Sequence, residues 1–422
     1  MDVDAEIGGY AEVRGMFDVD VEGKPWTLIQ KVRPTFEISP APRVRAFVAV
    51  DGTLVQGRDT AEELRAYLET TDIGPTLENY CTPVETLSFE DVRDYLTVER
   101  LYVDFTGEKV DFRLGRQAVN WGSALVFHPT DLYNEVVASE PWRERKGINA
   151  LRANIAPVEA VSVTALVALL DDDMSAFEVP EGDELPEPED LPFSSALKVT
   201  LRSFETDWSA AGFYRADGRW FAGGDLRGTL GVGWWVEGGW HGDTRGIDPE
   251  GAEVVAGVDY SLPLFNRFYF AAEYRYDGTG ESDPDAYDYG LRGASAALVP
   301  YSCPFSMTGE NVDPDEVQPT SRTTLGQHYV DATLSVQFLD DWSVGGTAIV
   351  NVADGTGLFV PDASVLVGER VALHIGAQIP LGEEGEFAPP EANFDVSAGA
   401  KSTNLARFVP AATLNAWARY SF

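Results

Sequence analysis

Sulfur, imidazole and long greasy runs are scarce in this chain: 422 residues hold two cysteines, four methionines and four histidines. Each scarcity removes a class of protein. Cys81 and Cys303 can form at most one bond, so a disulfide-held scaffold is excluded, and one disulfide or two thiols remain open. His128, His241, His328 and His374 are scattered, without an HExxH or other paired spacing, so no metal site is expected. A GxSxG nucleophile elbow and a strand-to-helix phosphate cradle are also missing, so neither an enzyme nor a cofactor is expected. The longest apolar stretch, Val161 to Leu170, falls short of the roughly 20 residues that a membrane-spanning helix requires. The opening MDVDAEIGGY lacks the basic start and apolar core of a secretory leader, and is expected to begin a mature chain.

Positive charge is short as well. Lys and Arg total 31 against 69 Asp and Glu, a net charge of −38, which argues against a nucleic-acid partner. The acids are concentrated. Asp171 to Asp190 carries ten acids and no base, and Asp51–Asp91 and Glu281–Glu316 are acid-rich too. These stretches read as solvated loops.

What the chain does have is Gly, aromatics and a period of two. It contains 40 Gly, ten Trp, 16 Tyr and 22 Phe. In NRFYFAAEYRY, Phe268, Phe270, Ala272, Tyr274 and Tyr276 share one face, and Arg267, Tyr269, Glu273 and Arg275 share the other. SALKVTLRS and PRVRAFVAV alternate in the same way. A strand sends successive side chains to opposite faces, so each segment has one oily and one polar side. Candidate strands fall at 4–14, 26–37, 42–50, 94–105, 109–118, 147–156, 158–169, 194–203, 206–217, 219–229, 231–241, 251–261, 266–276, 327–338, 341–353, 357–367, 370–380 and 411–422. That is about 18 strands, with 16 as the alternative count, each near the ~9–11 residues of a tilted transmembrane strand. Residues 395–403 are left in a loop. Ala61–Glu69 reads as a short amphipathic helix.

A soluble sandwich uses the same alternation, so the connections decide. Every long gap is odd-numbered along the chain: 51–93, 119–146, 170–193, 277–326 and 381–410. Every even gap is short. Greek-key crossings have no reason to sort loops by parity, whereas an up-and-down outer-membrane barrel has short turns at one end and long loops at the other. The expected fold is therefore all-β: one closed, antiparallel, up-and-down transmembrane barrel of 1–422. Trp26, Trp208, Trp220, Trp234, Trp240, Trp342 and Tyr420 suit interfacial girdles. Trp235 and Trp417 fall on the inward side.

Arg113–Asn134 reads RLGRQAVNWGSALVFHPTDLYN. Its pattern, LGRQ, NWG and then PTDLYN, resembles outer-membrane β-barrel proteins of porin-like families. The alternating last strand, ending on Phe422, resembles the terminal strand of bacterial outer-membrane proteins, where it serves as an assembly signal. The resemblance covers about twenty residues plus that strand. It implies a Gram-negative outer membrane, with membrane lipid, lipopolysaccharide and small polar solutes as partners. In porins the third long loop folds into the barrel. By analogy residues 119–146 are expected to form a constriction bearing His128, Asp131, Glu135, Glu140, Arg143, Glu144, Arg145 and Lys146. Trp121, Leu125, Phe127 and Trp142 in that segment need apolar cover.

The polar strand faces are taken as lumen. They bring inward Lys31, Arg33, Arg43, Arg45, Arg113, Arg152, Lys198, Arg202, Arg267 and Arg275, with fewer acids, Glu37, Asp111, Glu237 and Glu273. Basic side chains in a narrow, poorly screened bore favour anions, unless they are neutralised by lumen acids or inward loops. Three functions follow: a passive pore for small polar solutes with a weak anion preference, a structural or partner-binding barrel with a plugged lumen, and a transporter of a specific hydrophobic or anionic ligand. The acidic loops are candidate contacts for a protein partner, or for divalent cations bridging to lipopolysaccharide.

Overall fold

A computed structural model describes residues 4–21, 23–58, 82–83, 96–133, 145–169, 193–216, 218–246, 250–263, 267–287, 301–302, 324–339, 341–388, 395–398, 401–404 and 410–422. Eighteen strands make its wall: β1 Asp4–Val19, β2 Trp26–Ala41, β3 Val44–Arg58, β4 Leu96–Thr106, β5 Val110–Gln117, β6 Ile148–Val158, β7 Val161–Leu169, β8 Phe193–Ser203, β9 Thr206–Arg215, β10 Arg219–Thr229, β11 Gly233–Asp243, β12 Gly251–Leu262, β13 Arg267–Asp277, β14 His328–Phe338, β15 Trp342–Asn351, β16 Gly357–Val367, β17 Val371–Leu381 and β18 Ala412–Ser421. Each pairs antiparallel with its neighbours in sequence. Closure comes from β18 against β1, in register from Tyr10↔Ser421 to Val19↔Ala412. The sheet has no free edge, so every strand has a partner on both sides.

Each expected strand is present. The largest differences lie in β1 to β3, which run to 16, 16 and 15 residues. The segment from Asp51 was expected to begin a solvated loop; instead it continues β3 to Arg58, in register with β2 as far as Trp26↔Arg58. Asp51 misled the sequence reading because it opens the acid-rich stretch Asp51–Asp91. Here it is 3% exposed, and Lys31 and Arg33 of β2 balance its charge. Asp395–Ala398 and Lys401–Asn404 pair as a small hairpin separate from the wall, and Thr82–Pro83 pairs with the distant Tyr301–Ser302. Cys81, Cys303 and the helix expected at Ala61–Glu69 lie outside the described residues. The one helical element among those described is a 3-10 turn, Pro284–Ala286, and no helix there is long and apolar enough to cross a membrane.

The short connections are tight hairpins. Between β8 and β9, Phe204 and Glu205 both have positive φ, 52° and 56°, the backbone that a two-residue turn joining right-twisted strands requires. The outward face is greasy. Val32, Leu101, Leu114, Leu151, Leu197 and Leu334 stand between 45% and 56% exposed, and Ile7 reaches 76%. In water a belt of this size would drive aggregation; against acyl chains it is the surface that a spanning barrel presents. Trp26, Trp208, Trp240, Trp342 and Tyr420 are half exposed on it. Trp235 turns inward and is buried, and Trp417 stacks on His374 at 4.9 Å.

Candidate functional site: the lumen and its inserted segment

After Gln117 the chain leaves the wall and residues 118–133 cross to the inner face of β6–β15. Two carboxylates hold them there. Glu237 of β11 accepts four hydrogen bonds, from the backbone N–H groups of Ser123 (2.5 Å), Ala124 (2.9 Å) and Thr130 (2.9 Å) and from the Thr130 hydroxyl (2.8 Å). Glu273 of β13 accepts from Leu125 N (2.7 Å), Val126 N (2.8 Å) and the Trp235 indole (2.6 Å). A segment without secondary structure must find partners for its amides, and charged acceptors make the strongest of them. The Ser123 hydroxyl donates to Asp225, which also receives Lys198 Nζ at 2.6 Å.

Apolar packing completes the attachment. Val119 and Trp121 sit among Ala150, Leu166, Ala168, Ala196 and Ala211, inward positions of β6–β9 that carry small or aliphatic groups. Ala124, Val126 and Phe127 pack on Trp235, Val255, Ala271, Tyr329 and Ile349. Tyr133 receives a hydrogen bond from Ser194 (3.2 Å) and meets Phe213 edge-on at 5.4 Å; burial pushes its phenol up to about 12.

The motif residues explain themselves in this setting. Gly122 has φ +101°, and a Cβ there would lie 2.6 Å from a Glu237 oxygen, so only glycine lets the backbone reach its anchor. Gln117 is fully buried and ties β5 to β6 through Ala150 O at 3.0 Å. Thr130 supplies two of the donors to Glu237, and Asp131 pairs with Arg145 at 2.9 Å.

The opposite wall, from β18 through β1 to β6, is built differently. Lys31 and Arg33 share Asp51, the lysine at 2.6 Å. Arg419 reaches Glu12 at 2.6 Å, as does Arg14 at 2.8 Å. A belt then steps across neighbouring strands: Glu37 to Arg45 (3.3 Å), Arg45 to Asp104 (2.9 Å) and Asp104 to Arg113 (2.6 Å). Arg113 lies directly across from Arg152, whose Nε is buried with no hydrogen-bond partner among the described residues. The belt thus ends on two adjacent bases.

The sequence-derived lumen residues therefore divide into three groups. Lys31, Arg33, Glu37, Arg45, Arg113 and Arg152 belong to the basic wall, and Lys198 of β8 pairs with Asp225 beside the inserted segment. Arg43, Arg202, Arg267 and Asp111 are exposed at the short-turn rim, where Arg202 pairs with Asp207 (2.7 Å) and Asp111 accepts from Gly107 N (3.1 Å). Glu237, Glu273 and Arg275 do not face water. They lie behind the inserted segment, 0%, 2% and 7% exposed, because its amides and rings cover them. Arg275 pairs with Glu253 (2.6 Å) and Asp277 (3.0 Å) and lies over the Phe127 ring at 4.5 Å. His128 is partly buried beside them; Glu135, Glu140, Arg143 and Glu144 fall outside the described residues.

Sequence reasoning missed Glu12, Arg14, Asp51, Arg100, Asp104 and Asp225. Parity of alternation was the signal for Asp104, which shares a face with Tyr102. It also missed Glu386, in the connection after β17. Glu386 accepts from Tyr329 Oη (2.6 Å), Leu325 N (2.9 Å) and Asn351 Nδ2 (2.8 Å), and burial raises its carboxyl above the ordinary carboxylate range.

No family model matches the sequence, nor does any curated protein. Among solved structures, Acinetobacter baumannii OccAB1 and Pseudomonas aeruginosa OccK11 (OpdR) each align with a TM-score of 0.53 at 9% identity, over 99% of this chain and 96% of theirs. Pseudomonas aeruginosa OpdQ aligns at 0.52 and 9% identity, over 99% and 98%. At such identities the likeness is one of fold: the closed eighteen-stranded barrel of outer-membrane porins.

Proposed function

We propose that this protein is an outer-membrane pore for passive diffusion of small polar solutes, with a weak preference for anions. The observation that carries the reading is the unequal lumen. On one side Glu237 and Glu273 are spent on backbone amides beneath the inserted segment. On the other, Arg152 stands beside Arg113 at the end of the belt, with no hydrogen-bonded acid among the described residues. Two lumen acids are thus withdrawn from the bases, and a narrowed, poorly screened bore concentrates anions beside the Arg113–Arg152 pair. The inserted segment sets the radius and the basic wall sets the sign. No bond is made or broken.

Planar-bilayer recording under a salt gradient tests this directly. Stepwise conductance with a reversal potential of anion sign is expected. A barrel that inserts but never conducts removes the pore reading, and cation selectivity removes the preference alone. One observation favours a second reading, a plugged structural barrel: Phe387 packs on the same apolar cluster as the inserted segment, so a second connection turns inward. A non-conducting barrel that co-purifies with a stoichiometric partner supports that reading.

A further inference from the structure

The outward face of the described strands is almost free of charge. At its long-loop end β5 breaks that rule. Gln117 and Arg113 point inward, and Leu114, 56% exposed, points out; two residues beyond Leu114, Arg116 points out as well. It pairs across the sheet with Leu101 of β4, itself 49% exposed, and with Asn149 of β6. Nearby, Glu99 sits at the register shift of β4, where Arg100 engages it at 3.0 Å. Arg116 has no such partner among the described residues: its Nε is buried and unbonded.

More positive charge gathers around it. A Cβ on Gly147 would lie 2.9 Å from Arg116 Cγ and 3.0 Å from Arg100 Nη1, so both arginines meet at that glycine. Lys146, the residue before it, is exposed, and Arg100 Nη2 fixes the local backbone by donating to Arg145 O at 2.5 Å. A chain of net charge −38 therefore places Arg116 on the lipid-facing rim, with the exposed Lys146 next to the glycine that Arg116 touches.

An apolar groove starts just below. Asn149 faces Arg116, and Leu151, two residues or about 7 Å further along β6, lines one end of the groove. The groove encloses about 520 Å³, floored by the small side chains Ala153, Ala165, Ser195 and Gly212 and bounded by Leu197 and Tyr214.

We propose that this rim and groove form a site for one phosphorylated outer-leaflet lipid, its phosphate on Arg116 and Lys146 and an acyl chain along the groove. A free anion would satisfy the bases but leave the groove empty; a lipid uses both, and charge complementarity selects a phosphate headgroup over a neutral one. The site rests on the outer-membrane location in the proposed function, and not on conductance, because none of it lies in the lumen.

The test is native mass spectrometry of the full-length barrel in neutral detergent, with bis-phosphorylated lipid A and its dephosphorylated form as probes. For Arg116→Gln with Lys146→Gln, retention of the phosphorylated probe is expected to fall about tenfold or more, while the dephosphorylated probe binds both proteins equally. Ala165→Phe, which fills the groove without touching charge, should weaken both probes. Equal retention of the phosphorylated probe by wild type and double variant overturns the site. Competition by millimolar inorganic phosphate as effective as competition by lipid A also overturns it, in favour of a free-anion site. Loss of conductance in wild type with lipid binding intact would sink the pore reading and leave this one standing.

Discussion

The two sides of the lumen use charge for opposite ends. Beneath residues 118–133, charge is structural: Glu237 and Glu273 are buried and fully hydrogen-bonded, and every partner is an N–H or O–H that the inserted segment or the wall supplies. Along β18 and β1–β6, charge is paired side chain to side chain, in chains such as Glu37–Arg45–Asp104–Arg113 that stop at Arg152, whose Nε has no hydrogen-bond partner among the described residues. A buried carboxylate with a full set of donors is an anchor, whereas a lumen base beside another base is a field. The same residue types therefore do different work, according to whether backbone or another side chain lies opposite them.

Breaking the anchor should have the largest effect. Glu237→Ala orphans three buried amides and the Thr130 hydroxyl, a loss of about 3–5 kcal/mol in attachment of the segment. Protease cleavage within 119–133 and a larger single-channel conductance are expected; unchanged conductance would show that the segment does not narrow the bore. Next comes Gly122→Val, which forces a β-branched residue into φ +101° against Glu237, at a cost of about 1–3 kcal/mol. It should lower the thermal midpoint followed by circular dichroism and reproduce part of the first phenotype.

On the other wall the effects should appear in selectivity before stability. Arg152→Ala should shift the reversal potential toward cations with a stability change within about 1 kcal/mol. Asp104→Asn, which strips the shared acid from Arg45 and Arg113, should shift it toward anions. Two variants moving the potential in the same direction would mean that the wall does not set the field.

The smallest expected effect concerns Glu386. Its carboxyl is raised in the folded state, so between the ordinary and the raised value the folded chain holds more protons than the unfolded one. Stability at this position therefore falls as pH rises through that window and is greatest on its acid side. Hydrogen exchange of residues 382–388 should slow as pH is lowered, after correction for intrinsic rates, and Glu386→Gln should flatten the dependence.

Much of the wall could be read in advance because alternation is local. Phe270 and Glu273 declare their faces through their immediate neighbours, and loop parity follows from counting. Asp51 defeated that reading, since an acid opening a run of acids looks like the start of a loop until Lys31 and Arg33 are seen across the sheet. Arg43 and Arg113 gave identical sequence signals, yet one is at the turn and the other in the belt, because strand height is set by shear around the whole barrel.

Glu237 and Glu273 show where local reading ends. By itself the sequence determined that they point inward, that eighteen segments close a sheet and that NWG interrupts it. Only the tertiary structure decided that one carboxylate takes the amide of Ser123, 114 residues earlier, and the other that of Val126, 147 residues earlier. Side-chain direction is a property of adjacent backbone units, whereas the crossing of a segment through the lumen depends on which distant surfaces satisfy its amides and rings, and no local pattern records that.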